Sequence, residues 1–440
     1  MTTFINRPLY TRDQPLFELR VVLLFIFSLL FASNILLQFN SASKVVGVVI
    51  ALFLPGILVV AGVYYYFKLF KLKQLNPIDA IIFISLILPF YNAITVHLIF
   101  DVKIMKALFS LVPRFYVVMC SLIYYAIRSR KITMQQYVYS NLLLCWFCFL
   151  LYSYVSIMIP PQTFISGLGD GLVGFNPSKG GYIYRFSSAV LIFGMIYYFL
   201  DYIINTNYKS LILWGVLMSY QVFIDKGRTE LVSEAAPMFL YMFIILKWHD
   251  IVQKILTILL LVCVALLIAY LIDPKIVQFT ADMYWMFIQF FMGRKTGEGS
   301  ADMRWTEMAA VYHYFLKYPG HIFFGVGVPK GEILQKYVGN VILGDIGIVG
   351  GLLSQGIVGL AFVYSVFLYP LYIWKVVKHY KKDLLFNTGM LSVATVFIQS
   401  LFNGSIFYSF LGIMMPLIIL EYYRVKEKVY WRTQRALQQK

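Results

Sequence analysis

Charge is in short supply in this sequence. Only 13% of its 440 residues are Asp, Glu, Lys or Arg, where a soluble globular chain carries about one quarter. With 60% hydrophobic residues and a mean hydropathy of +0.76, that scarcity excludes an ordinary water-soluble domain. Cysteine is scarcer still. Cys120, Cys145, Cys148 and Cys263 all lie inside apolar runs. The Cys145-Trp-Phe-Cys148 spacing mimics a redox motif, but that chemistry needs a helix N-terminus beside a soluble sheet. In an apolar run the pair reads as packing. There is no Walker loop and no zinc-ligand spacing, and the five histidines (97, 249, 313, 321 and 379) are scattered. Gly325-Val-Gly327 lacks the strand–turn–helix surroundings of a dinucleotide fingerprint. Nothing calls for a metal or a redox cofactor. Acidic residues number 20 against 37 basic ones, a net charge of +17. The basic residues sit in short clusters between apolar runs, which is the placement of topology signals and argues against nucleic acid.

What is there is apolar runs, mostly about 18–25 residues long, enough to cross a hydrocarbon core of roughly 30 Å. The reading is an all-α polytopic membrane protein of about twelve transmembrane helices, a single domain over residues 1–440. The runs are 21–39, 45–67, 77–100, 104–127, 138–158, 184–204, 211–224, 231–245, 255–272, 346–374, 384–401 and 406–423. The first follows Arg7, Arg12 and Arg20 and has no small-residue cleavage site after it, so it reads as a retained span. No internal repeat is evident, and the short runs 211–224 and 231–245 do not form a convincing inverted pair.

Orientation follows from the basic clusters 68–73, 128–131, 375–382 and 424–440. Placing both termini in the cytoplasm puts all four inside, in accord with the positive-inside rule. A small loop at 159–181, the turn at 225–230 and a long loop at 273–344 then face outward, and 424–440 is a basic cytoplasmic tail. The long loop has structure of its own. Residues 283–292 (MYWMFIQFFM) suit a helix lying at the interface, and 304–317 reads as a helix ended by Tyr318-Pro319-Gly320.

Ionisable residues at membrane depth are costly and mark function. Arg228 stands between two short spans, where a guanidinium offers forked donors suited to phosphate or pyrophosphate; the alternative is packing against Glu230 or Glu234. Arg304, in Ser300-Ala-Asp-Met-Arg304-Trp-Thr-Glu, is either a ligand contact or a solvated partner of Glu307 at i, i+3. Arg114, after Pro113, either snorkels outward or lines the same cavity. Arg185 at the mouth of the sixth span is equally open, and Lys226 and Arg294 are weaker candidates. Asp345 stands where the chain returns to the membrane, in Gly344-Asp345-Ile-Gly-Ile-Val-Gly-Gly. A carboxylate at an apolar boundary serves either as a general base or as a helix N-cap.

The order of these motifs is familiar. A Gly-Arg-Thr turn precedes a long outward loop containing Arg304-Trp305, about twelve residues of helix, Tyr318-Pro319 and Phe324-Gly325-Val326-Gly327. The loop is followed by Gln355-Gly356-Ile357-Val358-Gly359. This stretch, residues 224–359, resembles the O-antigen polymerase and ligase superfamily, the Wzy-type polymerases and their ligase relatives. The resemblance implies a metal-independent, GT-C-like membrane glycosyltransferase working on the periplasmic face of a bacterial inner membrane. Its donor and acceptor would be polyprenyl-diphosphate-linked glycans, with membrane lipids, a chain-length regulator and a flippase as further expected partners.

Arg228 and Arg304 match the family's diphosphate-binding arginines. The ligase branch carries a histidine about eleven residues before the Gly of its last motif; here that position is Asp345. The departure favours a polymerase over a ligase that transfers glycan to a lipid-A core, and brings Asp345 forward as the base, with Glu230 or Glu307 in reserve. Tyr312, Trp305 and Tyr184 are candidates for stacking on sugar faces. A lipid-linked glycan flippase or secondary transporter also fits twelve spans, but not the single long structured loop or the missing repeat symmetry.

Overall fold

Asn76-Pro77 starts a helix by simple chemistry. Proline is pre-organised for the first helical position and has no N–H to leave unsatisfied, and the Asn76 backbone N–H donates to the Asp79 carboxylate at 2.8 Å. The helix ends where Asp101 turns left-handed at φ 53°. In the computed structural model the described residues are 19–28, 62–67, 76–111, 117–161, 173–176, 181–184, 189–222, 228–272, 299–329, 331–403 and 411–438, with scattered single positions between them.

The elements in order are α1 (Leu19–Phe27), α2 (Pro77–Phe100), α3 (Ile104–Ser110), α4 (Val117–Arg128) and α5 (Met134–Met158), then β1 (Val173–Asn176) and β2 (Gly181–Tyr184). Next come α6 (Ala189–Asn205), α7 (Tyr208–Tyr220), α8 (Arg228–Ile245) and α9 (Trp248–Ile272). The series closes with α10 (Gly299–Lys317), α11 (His321–Phe324), α12 (Gly331–Tyr337), α13 (Gly347–Val376), α14 (Leu384–Phe402) and α15 (Leu411–Gln438). Five helices are long and apolar enough to cross a membrane, namely α2, α5, α9, α13 and α14, and shorter apolar helices cover 117–128, 189–205 and 233–245. Caps set several starts. Thr133 and Gln136 bond reciprocally at 3.1 and 3.0 Å before α5, a capping box. Asp383 accepts from the Leu385 N–H at 3.0 Å before α14.

Four expectations change. The run 104–127 is two helices, α3 and α4, and the stretch between them carries Pro113, which cannot donate to a helical ladder. The small loop 159–181 contributes β1 to an antiparallel hairpin, with Val173 opposite Tyr184 and Asn176 opposite Gly181, so the fold is all-α with one hairpin. The one local signal for it is the turn-forming sequence Pro177-Ser-Lys-Gly180. Tyr184 therefore ends a strand, and the helix expected from that point begins at Ala189. The basic segment from Arg424 is the continuation of α15 and packs back on the chain. Glu427 accepts from the His379 backbone N–H at 3.2 Å and from Trp431 Nε1 at 2.7 Å.

One apolar cluster joins α2, α4, α13, α14 and α15, and a second joins α5, α6, α7 and α8. Charges inside them are paired, as a low-dielectric interior demands. Asp79 accepts from Tyr65 and lies 3.8 Å from the Arg128 guanidinium. Glu421 accepts from Arg424 at 2.6 and 2.8 Å and from Tyr369.

The feature that positions the rest is a break in α13. Gly356 takes φ 65° and ψ 179°, backbone that only glycine adopts readily. The segment 325–327 docks on that break. Val326 N–H donates to the Leu353 carbonyl and Gly327 N–H to the Ser354 carbonyl, both at 2.8 Å. Tyr91 of α2 donates to the Phe324 carbonyl at 2.6 Å, and Asn92 and Gln355 exchange side-chain amide bonds at 3.1 and 3.0 Å. A Cβ on Gly325 would lie 2.5 Å from Gly356 N. Gly356→Ala should therefore cost about 1–3 kcal/mol from backbone strain alone, with the clash added. A Gly356→Ala protein whose thermal midpoint in detergent equals the parent's would contradict this account of the break.

Candidate functional site

The helix α10 stops at Tyr318 because Pro319 cannot extend it; Tyr318 N–H makes the last helical bond, to the Tyr314 carbonyl at 2.9 Å. One face of α10 is core. Val311 and Tyr314 pack with Val326, Leu334, Val341, Leu343, Ile346 and Leu353. Glu307, one turn before Val311, lies on that same face and is 1% exposed.

This carboxylate is not on a solvated surface. It accepts a backbone hydrogen bond from Ile342, while its Oε2 has no hydrogen-bond partner among the described residues. Burial pushes its pKa up from the ordinary 4.5, and the neighbouring charge of Asp345 pushes the same way. The Ile342 bond and the Arg304 guanidinium oppose the rise. Residues 304, 307 and 345, from a helix and from a turn nearly forty residues later, thus share one locality. His321 is set beside it on the same scaffold: its Nδ1 meets the Tyr314 hydroxyl at 2.8 Å, Tyr318 stacks on its ring, and burial lowers its pKa.

Asp345 does not cap α13. The capping position is Ile346, with no side-chain cap hydrogen bond, and Asp345 sits half-buried in the preceding turn, its N–H donating to the Ile342 carbonyl at 2.9 Å. The turn is held close to its neighbours. Gly347, at φ 48°, abuts the Leu401 carbonyl of α14, and Gly350 abuts the Leu343 carbonyl. Side chains larger than hydrogen at these positions would push the turn off α14.

The other candidates divide plainly. Arg114, Arg185, Lys226 and Arg294 lie outside the described residues. Arg228 is the first residue of α8 and Glu230 the third, and their side chains lie outside the described part. Tyr312 is brought to a different face: it is exposed, about 140° around α10 from Glu307 at 3.6 residues per turn. Trp305 is exposed too. Among the described residues no group of three His, Cys, Asp or Glu is placed to hold a metal ion.

The sequence offered Glu307 as a reserve base but not its burial, because nothing local says which face of an amphipathic helix a later loop will cover. It offered Glu234 only as a packing partner for Arg228. Glu234, fully buried within α8, accepts from Gln221 of α7 at 3.1 Å and Gln399 of α14 at 3.3 Å. Its available signal was a carboxylate in an apolar run with amides at the ends of two others.

The apolar helices make the class plain: this is a helical membrane protein. No protein-family model matches the chain, and no curated protein matches it.

The raised carboxyl of Glu307 has a thermodynamic consequence. Its folded pKa lies above its unfolded value, so its contribution to stability is present below pH 4.5 and is lost as pH rises through the folded value. Glu307→Gln removes that loss. Thermal midpoints measured from pH 4.5 upward should fall less steeply for Glu307→Gln than for the parent; parallel curves would show that the carboxyl is not desolvated.

Proposed function

We propose that this protein is a membrane glycosyltransferase that polymerises polyprenyl-diphosphate-linked oligosaccharide repeat units into a cell-surface polysaccharide, in the manner of Wzy-type polymerases. The observation that supports it best is the meeting of Arg304, Glu307 and Asp345 beside the docked segment 325–327. On this reading the active face is periplasmic, both termini are cytoplasmic, and the turn at 225–230 carries Arg228 to the same side.

The chemistry then follows from charge. The acceptor hydroxyl attacks the donor's anomeric carbon, and the bond to the diphosphate oxygen breaks with inversion. The bonding pair leaves with the diphosphate, whose growing charge Arg228 and Arg304 stabilise. Fixed donors in a partly dry site are commonly worth several kcal/mol. Asp345, half-buried and free of any capping duty, takes the acceptor's proton. Glu307 stands behind it as a second, buried carboxyl. Aspartate where the ligase branch carries histidine supports a polymerase over a ligase.

The test is polymerisation of a defined lipid-linked repeat by purified protein. Arg228→Ala and Arg304→Ala should each abolish most chain growth, and Asp345→Asn should cut the rate by about 10²–10⁴. Parent-like growth in both arginine variants, with monodisperse folded protein, would end the diphosphate clamp. Transfer to an added lipid-A core without polymer would make the protein a ligase, and lipid flipping in liposomes without elongation would make it a transporter.

A further inference from the structure

Two buried hydroxyls on α14 are unaccounted for. Ser392 and Thr395 are 4% and 0% exposed, and neither side-chain oxygen has a hydrogen-bond partner among the described residues. In spanning helices such residues usually turn back to the carbonyl four residues earlier. Thr388, one turn away on the same helix, does so, donating to the Leu384 carbonyl at 2.8 Å. Ser392 and Thr395 do not.

Their position gives the reason. Residues 388, 392, 395 and 399 recur at the spacing that lines one face of a helix. Gln399 identifies what that face meets, because its Nε2 donates to Glu234 of α8 at 3.3 Å. Lower on the same pair of helices, Tyr241 of α8 donates to Asn387 at 2.7 Å, and Asn387 donates to the Lys381 and Asp383 carbonyls at 2.9 and 2.7 Å. The seam between α8 and α14 is therefore polar at both ends, and Ser392 and Thr395 stand between those ends beside Leu391, Met238 and Met242. From Thr388 to Gln399 it runs about 16 Å at 1.5 Å per residue, through a region where an unmade hydrogen bond is costly.

We propose that this seam holds a file of internal water linking the Glu234 carboxyl, past Thr395 and Ser392, to Thr388 and the turn at 381–383. Water fits better than a cation. The groups lining the seam are neutral hydroxyls that both donate and accept, and the two amide nitrogens at its head point at the carboxylate. Side chains three or four apart on a helix stand about 5–6 Å from one another, a gap that one water closes with two hydrogen bonds. Each site then offers the two or more polar partners that a buried water needs. The file gives Glu234, itself sealed from solvent, a path along which its proton can exchange with the 381–383 end.

Hydroxyl-radical footprinting by millisecond X-ray pulses reads internal water directly, since radicals form where the water sits. In the unsubstituted protein in detergent, Leu391, Ser392, Val393 and Thr395 should be labelled several-fold faster than Leu417, Ile418, Ile419 and Leu420, which are likewise buried, on α15. Equal labelling at the two places overturns the proposal. Thr395→Val gives a second reading. If water is bound, the substitution strands it and lowers the thermal midpoint by about 1–2 °C, the shift expected of one lost hydrogen bond in a chain of this size. If the seam is dry, removing an unsatisfied hydroxyl raises the midpoint, and the proposal fails.

Discussion

A helix inside a membrane cannot be interrupted without replacing the hydrogen bonds that the interruption releases. That constraint governs α13. The break at Gly356 frees the carbonyls of Leu353 and Ser354, and the N–H groups of Val326 and Gly327 take them. The exchange works only because the crossing is bare of side chains: Gly325 and Gly356 face each other backbone to backbone, and Gly327 lies against the Asn92 carbonyl of α2. The long segment between α9 and α13 is thereby fixed to the bundle at its most buried point. The positions of α10, of the turn at 343–346 and of the carboxyl pair follow from that attachment.

The same economy explains how so few charges are kept. Asp79 and Glu421 are buried, and each is held by tyrosine hydroxyls as well as by an arginine. Breaking one partner of a buried pair costs about 3–5 kcal/mol, because it leaves the other charge uncompensated. Glu307 differs in kind. It has one backbone donor, an oxygen with no partner among the described residues, and a second carboxyl nearby. A fold that pairs Asp79 and Glu421 with arginines and leaves Glu307 strained has a local conflict of the sort that accompanies reactive sites.

Much of the architecture was legible from hydropathy. The bounds of α2 are those of its apolar run, and α5, α13 and α14 lie within a few residues of theirs, because a span is specified by length and apolarity; α9 begins seven residues before its run. The failures are instructive. The run 104–127 is apolar throughout, yet it is two helices with Pro113 between them. The hairpin at 173–184 was hidden because its strands are four residues long, too short for a period-2 pattern to stand out. In the site, Arg304, Asp345 and, in reserve, Glu307 could be singled out from the sequence, but the burial of Glu307 could not, since it depends on a turn arriving from elsewhere.

By itself the sequence determined that the chain belongs in a membrane and where most of its long spanning helices start and stop. These are local or compositional properties: transfer free energy sums along a segment, and a cap or a proline acts within one turn. Only the tertiary structure decided that the Gly-Val-Gly segment closes a broken helix, that Asp345 caps nothing, and that Glu307 is buried beside it. Those facts rest on pairings between segments far apart in the chain. A buried hydrogen bond or charge has no energy of its own until its partner is in place.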